Sequence, residues 1–264
     1  MSILHTIQPL YVLSGLIVGV LVGMTGVAGG SLMTPVLILL FDIHPVTAVG
    51  TDLLYASVTK TGGTLVHNYN GTVDWRVASR LAMGSVPMTA LTIWLLYVLD
   101  VRGDATHVIV TKVLGVALFL TALSLIFRTS VMNIYERRVG VLDKKLVRNL
   151  TIAMGALLGL LVTISSVGAG AIGVTALMLL YPSMPTARIV GSNIAHAVPL
   201  TLLAGLGHWM IGSIDFSILG SLLVGSIPGT IAGSFVAPRV PDPALRFTLA
   251  TLLIVVCARF WFWK

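Results

Sequence analysis

The sequence predicts an all-α polytopic membrane protein, with about eight hydrophobic segments in two repeated halves and the first segment of each half broken or re-entrant. Three observations carry this. Of 264 residues, 56% are hydrophobic and 9% charged, with a mean hydropathy of +1.01; soluble domains carry about a quarter charged residues, and so few cannot cover a closed soluble surface. The apolar residues fall in continuous stretches long enough to cross about 30 Å of hydrocarbon, which takes about 20 residues of helix. The chain also matches itself at a shift of about 140 residues.

Other classes fail on the same figures. Low charge and high apolar content exclude disorder, 27 Gly without a triplet period exclude collagen, and one Cys excludes a disulfide scaffold. Cys257 reads as a small packing residue. The apolar runs lack the alternation of a transmembrane barrel. They cover approximately 10–41, 46–66, 77–99, 105–127, 150–181, 187–207, 216–237 and 244–262. Met1 to Pro9 holds no Lys or Arg and no cleavage site follows, so the N-terminus is expected to be retained. The net charge of +7 does not read as nucleic-acid binding, because the cations lie in connecting segments without interleaved aromatics.

Between the fourth and fifth runs, residues 128–149 hold six of the sixteen cations: Arg128, Arg137, Arg138, Lys144, Lys145 and Arg148. The positive-inside rule puts this connector in the cytoplasm. It separates a first transmembrane repeat, 1–127, from a second, 150–264. At a shift of 140, Gly19, Val27, Gly30 and Pro45 meet Gly159, Val167, Gly170 and Pro185; at 141, Val49-Gly50-Thr51-Asp52 meets Val190-Gly191-Ser192-Asn193. Further on, His67 meets His208, Asp74 meets Asp215, and Gly84-Ser85-Val86-Pro87 meets Gly225-Ser226-Ile227-Pro228.

The first run of each half is too long for one span. A straight helix over 10–41 would extend about 48 Å, and its middle reads Gly23-Met24-Thr25-Gly26-Val27-Ala28-Gly29-Gly30-Ser31. Each interior Gly costs about 1 kcal/mol relative to Ala. The matching stretch is Thr163-Ile164-Ser165-Ser166-Val167-Gly168-Ala169-Gly170. Gly15, Gly19, Gly23, Gly155 and Gly159 suit close helix packing, whereas the clustered Gly26, Gly29, Gly30, Gly168 and Gly170 point to an interruption. Interrupted segments in matching places of two repeats mark a transporter's binding site. With Lys60 excluded as intramembrane, the repeats are parallel if the broken segments cross, and internal cations outnumber external ones ten to five; if they re-enter, the repeats are inverted and the count is eleven to four.

Ionisable groups inside a span are costly and so are functional candidates. The second run offers Asp52 and Lys60, and its counterpart offers Asn193 and His196. Asp52 also suits a helix cap. Lys60 lies too deep for easy snorkelling. Asp74 and Asp215 read as N-caps, Trp75, Trp209, Trp261 and Trp263 as interfacial anchors, Arg188 as a helix fastener or vestibule cation, and His67 and His208 as interfacial hydrogen-bonders, a gate or a proton relay. Glu136 is the only Glu, no spacing suits a metal and no phosphate loop occurs, so neither an enzyme nor a resident cofactor or metal is expected.

At these residues the chain resembles the TauE/SafE sulfite-exporter family. The resemblance is carried by Gly19 to Pro35, Ala48-Val49-Gly50-Thr51-Asp52, Lys60-Thr61-Gly62-Gly63 and Gly71-Thr72-Val73-Asp74-Trp75, with weaker echoes in the second half. That half departs at the glycines, with Ser165-Ser166 and Ala169 in place of Gly26 and Gly29. The resemblance implies transport of small sulfur-containing anions, often as efflux, in a bacterial cytoplasmic (inner) membrane. The anion is expected between the halves, held by amides of the broken helices and hydroxyls of Thr25, Ser31, Thr51, Ser165, Ser166 and Ser192, with Lys60 supplying positive field. The expected partners are that anion, the lipid bilayer and a second copy of the chain. Two alternatives stay open: a cation or metal transporter using Asp52 and the histidines, and a nontransporting membrane assembly partner.

Overall fold

The computed structural model describes residues 8–25, 29–99, 104–138, 143–236 and 242–262, and among them there is no strand. Ten helices follow in order: α1 (Pro9–Thr25), α2 (Gly29–Phe41), α3 (Pro45–Tyr69), α4 (Trp75–Val98), α5 (Asp104–Arg138), α6 (Lys144–Ser165), α7 (Ala171–Leu180), α8 (Thr186–Met210), α9 (Phe216–Val236) and α10 (Asp242–Phe262). Five stretches are long and apolar enough to cross a membrane, Trp75–Val98, Val108–Arg128, Lys144–Ser165, Thr186–Met210 and Phe216–Gly233, beside shorter apolar helices. α5 continues to Arg138 and α6 begins at Lys144, so the connector expected over 128–149 is helical over 128–138 and again from 144 onward.

Each long first run is divided in two. α2, with 13 residues, and α7, with 10, extend only about 20 Å and about 15 Å, short of the hydrocarbon thickness. The second division is set by backbone conformation. Ser166 ends α6 in the left-handed region (φ 58°), and Gly168 follows at φ 110°, where the missing side chain removes the steric cost.

The other helices pair closely through glycine. Gly15 and Gly19 of α1 lie against the backbone of Leu222 and Ser226, while Gly225, Gly229 and Gly233 of α9 lie against that of Val12, Leu16 and Val20. α1 and α9 therefore run in the same direction. Gly155 and Gly159 of α6 meet Leu81 and Ser85 of α4 in the same way, and Gly84 meets Ile152. A Cβ at these positions would enter the neighbouring backbone, as close packing by small residues requires.

α3 and α8 are antiparallel: Gly50 packs on His208 and Ser213, and Gly191 packs on His67 and Thr72. α5 and α10 are antiparallel too, with Cys257 donating to the Gly115 carbonyl at 3.4 Å and Thr121 and Leu125 sharing a small cavity with Leu253 and Leu249. Tight turns reverse the chain after α3 and α8, at Gly71 (φ 64°) and Gly212 (φ 75°). α1, α3 and α9 thus share one direction, and α4, α6 and α8 the other. α2 and α7 must run back between like-directed neighbours. The Tyr181 hydroxyl, just past α7, accordingly lies 2.9 Å from Thr151 in the second turn of α6.

Asp74 and Asp215 cap α4 and α9 as expected. Asp74 Oδ1 accepts from the amides of Arg76 and Val77, and Asp215 Oδ1 from those of Ser217 and Ile218. Arg188 fastens the start of α8 to Asp74 at 3.8 Å.

Candidate functional site

The polar groups of the interior gather along the antiparallel pair α3 and α8, where the divided helices meet it. Asp52 lies inside α3, in its second turn, and is fully buried. It does not cap its own helix. Its Oδ2 instead accepts from the backbone amide and hydroxyl of Thr34 on α2, at 3.2 and 2.5 Å. The Ser166 hydroxyl, from the turn between α6 and α7, faces the same carboxylate at a geometry short of a formed hydrogen bond, so that Asp52 Oδ1 and Ser166 Oγ both stay unpartnered. Asp52 thereby joins the divided segment of one half to that of the other.

Asn193, in the corresponding place on α8, does less. Its Nδ2 donates to the Ala169 carbonyl at 2.6 Å, tying α8 to its own half's turn, and its Oδ1, which has no partner, lies against Gly173. The turn from Ser166 to Gly170 therefore touches Asp52 at one end and Asn193 towards the other. Within it the Ser165 hydroxyl donates to the Leu161 carbonyl at 2.6 Å and accepts from the Val167 amide at 3.2 Å, and Gly170 begins α7.

Two dyads lie deeper along the pair. His196 Nε2 is 2.9 Å from the Ser85 hydroxyl of α4, and its buried Nδ1 has no partner. Tyr55, fully buried on α3, faces Ser226 of α9 with its hydroxyl likewise unpaired. Lys60 is half-buried on α3, within electrostatic range of both Asp52 and His196, and makes no ion pair with Asp52. Beyond Lys60 the helix loses cover: Thr61 and Gly62 are exposed, and a Cβ at Gly62 would meet nothing. Lys60 stands where this open stretch meets the buried seam.

The remaining expected residues go elsewhere. The Thr51 hydroxyl accepts from the Asp215 amide at 3.2 Å, and that of Ser192 from the Asp74 amide at 2.8 Å; both fix helix starts of the opposite half. Ser31 is buried on α2 beside the cavity shared by α5, α7 and α10. His67 Nδ1 pairs with the Thr72 hydroxyl at 2.8 Å, and His208 Nε2 with the Thr163 carbonyl at 3.0 Å, so the two histidines stand at opposite ends of the α3–α8 pair. Thr25, Gly29 and Gly30 are described in backbone only, at the end of α1 and the start of α2, and Gly26 lies outside the described residues.

Thr34, Tyr55, Ser85 and Ser226 belong to the seam without having been expected there. The repeat held the signal for three of them, because the shift of 141 pairs Tyr55 with His196 and Ser85 with Ser226.

The sulfite exporter TauE/SafE family model matches residues 11–260. Probable membrane transporter protein YjnA of Bacillus subtilis is 38% identical over 245 residues, covering 92% of this chain and 96% of the relative. Probable membrane transporter protein YunE of the same organism is 38% identical over 69 residues, about a quarter of each chain. No solved structure matches the chain.

Proposed function

The chain belongs to the sulfite exporter TauE/SafE family and is a membrane transport protein, not an enzyme; from that premise we propose that it is a permease for small sulfur-containing anions, sulfite or an organosulfonate, in a bacterial cytoplasmic membrane. The observation that carries the anion reading is Lys60: an ammonium half-buried on α3 where its exposed stretch begins, within electrostatic range of His196, and in no ion pair among the described residues. An unpaired cation at that depth is expensive, and an oxyanion offsets the cost. The unpartnered Nδ1 of His196 and hydroxyl of Tyr55 are hydrogen-bonding capacity that the same interior holds unused.

The two halves form an inverted repeat in this reading. Its support is reciprocity: Gly15 and Gly19 on Leu222 and Ser226 answer Gly155 and Gly159 on Leu81 and Ser85, and Asp215 on Thr51 answers Asp74 on Ser192. Equivalent helices that run antiparallel, as α3 and α8 do, need a two-fold axis in the membrane plane. Arg76, Arg80, Arg188 and the basic connector then share one side, which the positive-inside rule makes cytoplasmic. An anion moving alone out of a cell at 100 mV negative inside releases about 2.3 kcal/mol, so efflux needs no ATP.

A metal-transport reading has less support. The three histidines discussed above hold separate partners, and no group of three His, Cys, Asp or Glu side chains converges among the described residues.

The test is flux of sulfite, sulfate, thiosulfate, sulfoacetate and taurine into proteoliposomes of the purified chain. Sulfite or sulfoacetate flux that exceeds sulfate flux and collapses in Lys60→Ala is expected. Absence of any anion flux, or Lys60→Ala behaving as the parent protein, overturns the proposal.

A further inference from the structure

Asp52 has the wrong sign for an anion site and, among the described residues, no ion pair, only the Lys60 ammonium at longer range. Thr34 satisfies one carboxylate oxygen with two donors, leaving Oδ1 buried beside the equally buried Ser166 hydroxyl, each without a hydrogen-bond partner. Ser166 is also the residue on which α6 ends; the Val162 carbonyl accepts from its amide and the Thr163 carbonyl pairs with His208, and the helix end as a whole carries the negative end of its dipole. A carboxylate oxygen, a hydroxyl oxygen and a helix C-terminal end thus converge on one buried spot. These are hard oxygen donors, and the C-terminal ends of interrupted helices are where transporters hold small cations.

We infer that a sodium ion binds beside Asp52 at the C-terminal end of α6, with Asp52 Oδ1 and Ser166 Oγ as donors. The charge count favours a monovalent ion, because one carboxylate supplies a single negative charge and the Lys60 ammonium is in range. The matching place in the other half is neutral: Asn193 stands there, its amide engaged with Ala169, so the site is single. The ion also has a purpose in the cycle. An anion that engages Lys60 takes up its positive charge and leaves Asp52 uncompensated in a low-dielectric interior, which is costly. Sodium that stays bound beside Asp52 restores neutrality while the anion still crosses alone, so the two ions favour each other's binding.

The inference rests on the anion reading for its coupling and not for the site itself, and two readouts separate them. In proteoliposomes, replacing choline by sodium is expected to lower the KM for sulfite by about tenfold, the effect of roughly one charge-assisted contact. Asp52→Asn removes the sodium response and Ser166→Ala weakens it. In detergent, binding of radioactive sodium by the purified chain without any anion is expected to saturate and to be lost in Asp52→Asn. Since Asp52 also holds Thr34, that variant can misfold; Ser166→Ala, which deletes one hydroxyl, then carries the test by its weakened sodium binding. Sodium-indifferent sulfite flux overturns the coupling. Sodium binding that is absent from the parent or unchanged in both variants, or acidification fully replacing sodium, overturns the site. Sodium binding without flux of any tested anion sustains the site and sinks the anion reading.

Discussion

The C-terminal halves of α3 and α8 are counterparts in sequence and opposites in packing. On α8, Ala204, Gly205, Gly207 and His208 are buried, with Gly205 against Leu54 and Gly207 against Ile93. On α3, the matching Val66 is 60% exposed, a Cβ at Gly62 would touch nothing, and one at Gly63 would only graze Ile194 at 3.5 Å. α4 covers the end of α8, whereas α9, which would cover α3 by symmetry, leaves it bare. If the halves form the proposed inverted repeat, such a difference separates the two faces of the membrane: the seam is covered towards the end of α8 and uncovered towards the end of α3, and Lys60 stands where the uncovered stretch begins.

The largest expected effect breaks this comparison at its closed side. Gly205→Leu and Gly207→Leu would drive a branched side chain into Leu54 or Ile93; overpacking of this kind costs about 1–3 kcal/mol and sometimes more. Their thermal unfolding temperature in detergent should fall clearly, while Gly62→Leu should stay within about 0.5 kcal/mol of the parent, as open positions do. Equal losses at Gly62 and Gly205 would mean that α3 is covered in the membrane.

Next in size is access. With Cys257 replaced by Ser to clear the background, Gly63→Cys should react with an impermeant thiol reagent applied from the cytoplasmic side. Ala204→Cys, the matching position and fully buried, should be protected from both sides. Labelling rates should differ by at least about tenfold, a ratio that corresponds to about 1.4 kcal/mol of opening free energy. Protection of Gly63→Cys by sulfite would further tie the opening to Lys60.

How much of this was legible in the sequence depends on the distance over which each contact acts. The helical class, the two divided runs and the glycine-packed helices follow from composition and local spacing, and Gly155 and Gly159 do pack on α4. The partner of Asp52 was not legible, because Thr34 reaches it only once α2 folds back. Thr51 and Asp52 are adjacent in sequence, which suggests one shared role. In a helix, adjacent side chains point about 100° apart, so Asp52 turns to Thr34 while Thr51 turns to the start of α9. Ser192 turns to the start of α4 for the same reason, and Tyr55 gives no local signal because a tyrosine in an apolar run reads as core. The repeat, applied residue by residue, would have exposed it.

The two dyads give a smaller effect. Ser85→Ala removes the only hydrogen-bond partner of His196 among the described residues, and a lost neutral hydrogen bond costs about 0.5–1.5 kcal/mol. If the ring is thereby less well aimed at the anion beside Lys60, KM for sulfite should rise about three- to tenfold with little change in kcat. Ser226→Ala, beside a Tyr55 hydroxyl that has not closed a bond to it, should change KM less. The reverse order would place the anion nearer Tyr55 than His196.

The smallest effect separates two roles that meet at Asp74. Arg188 is half exposed and 3.8 Å from the carboxylate, and exposed pairs contribute about 0–1 kcal/mol. Asp74 also accepts from two first-turn amides, and losing such a cap costs about 1 kcal/mol. Arg188→Ala should therefore barely move the unfolding temperature, and Asp74→Ala should lower it more, by about as much as Asp215→Ala, since Asp215 makes the same cap. If Arg188→Ala instead weakens transport at low salt and not at high salt, the guanidinium is collecting anions at the cytoplasmic mouth, because only a long-range charge effect is screened in that way.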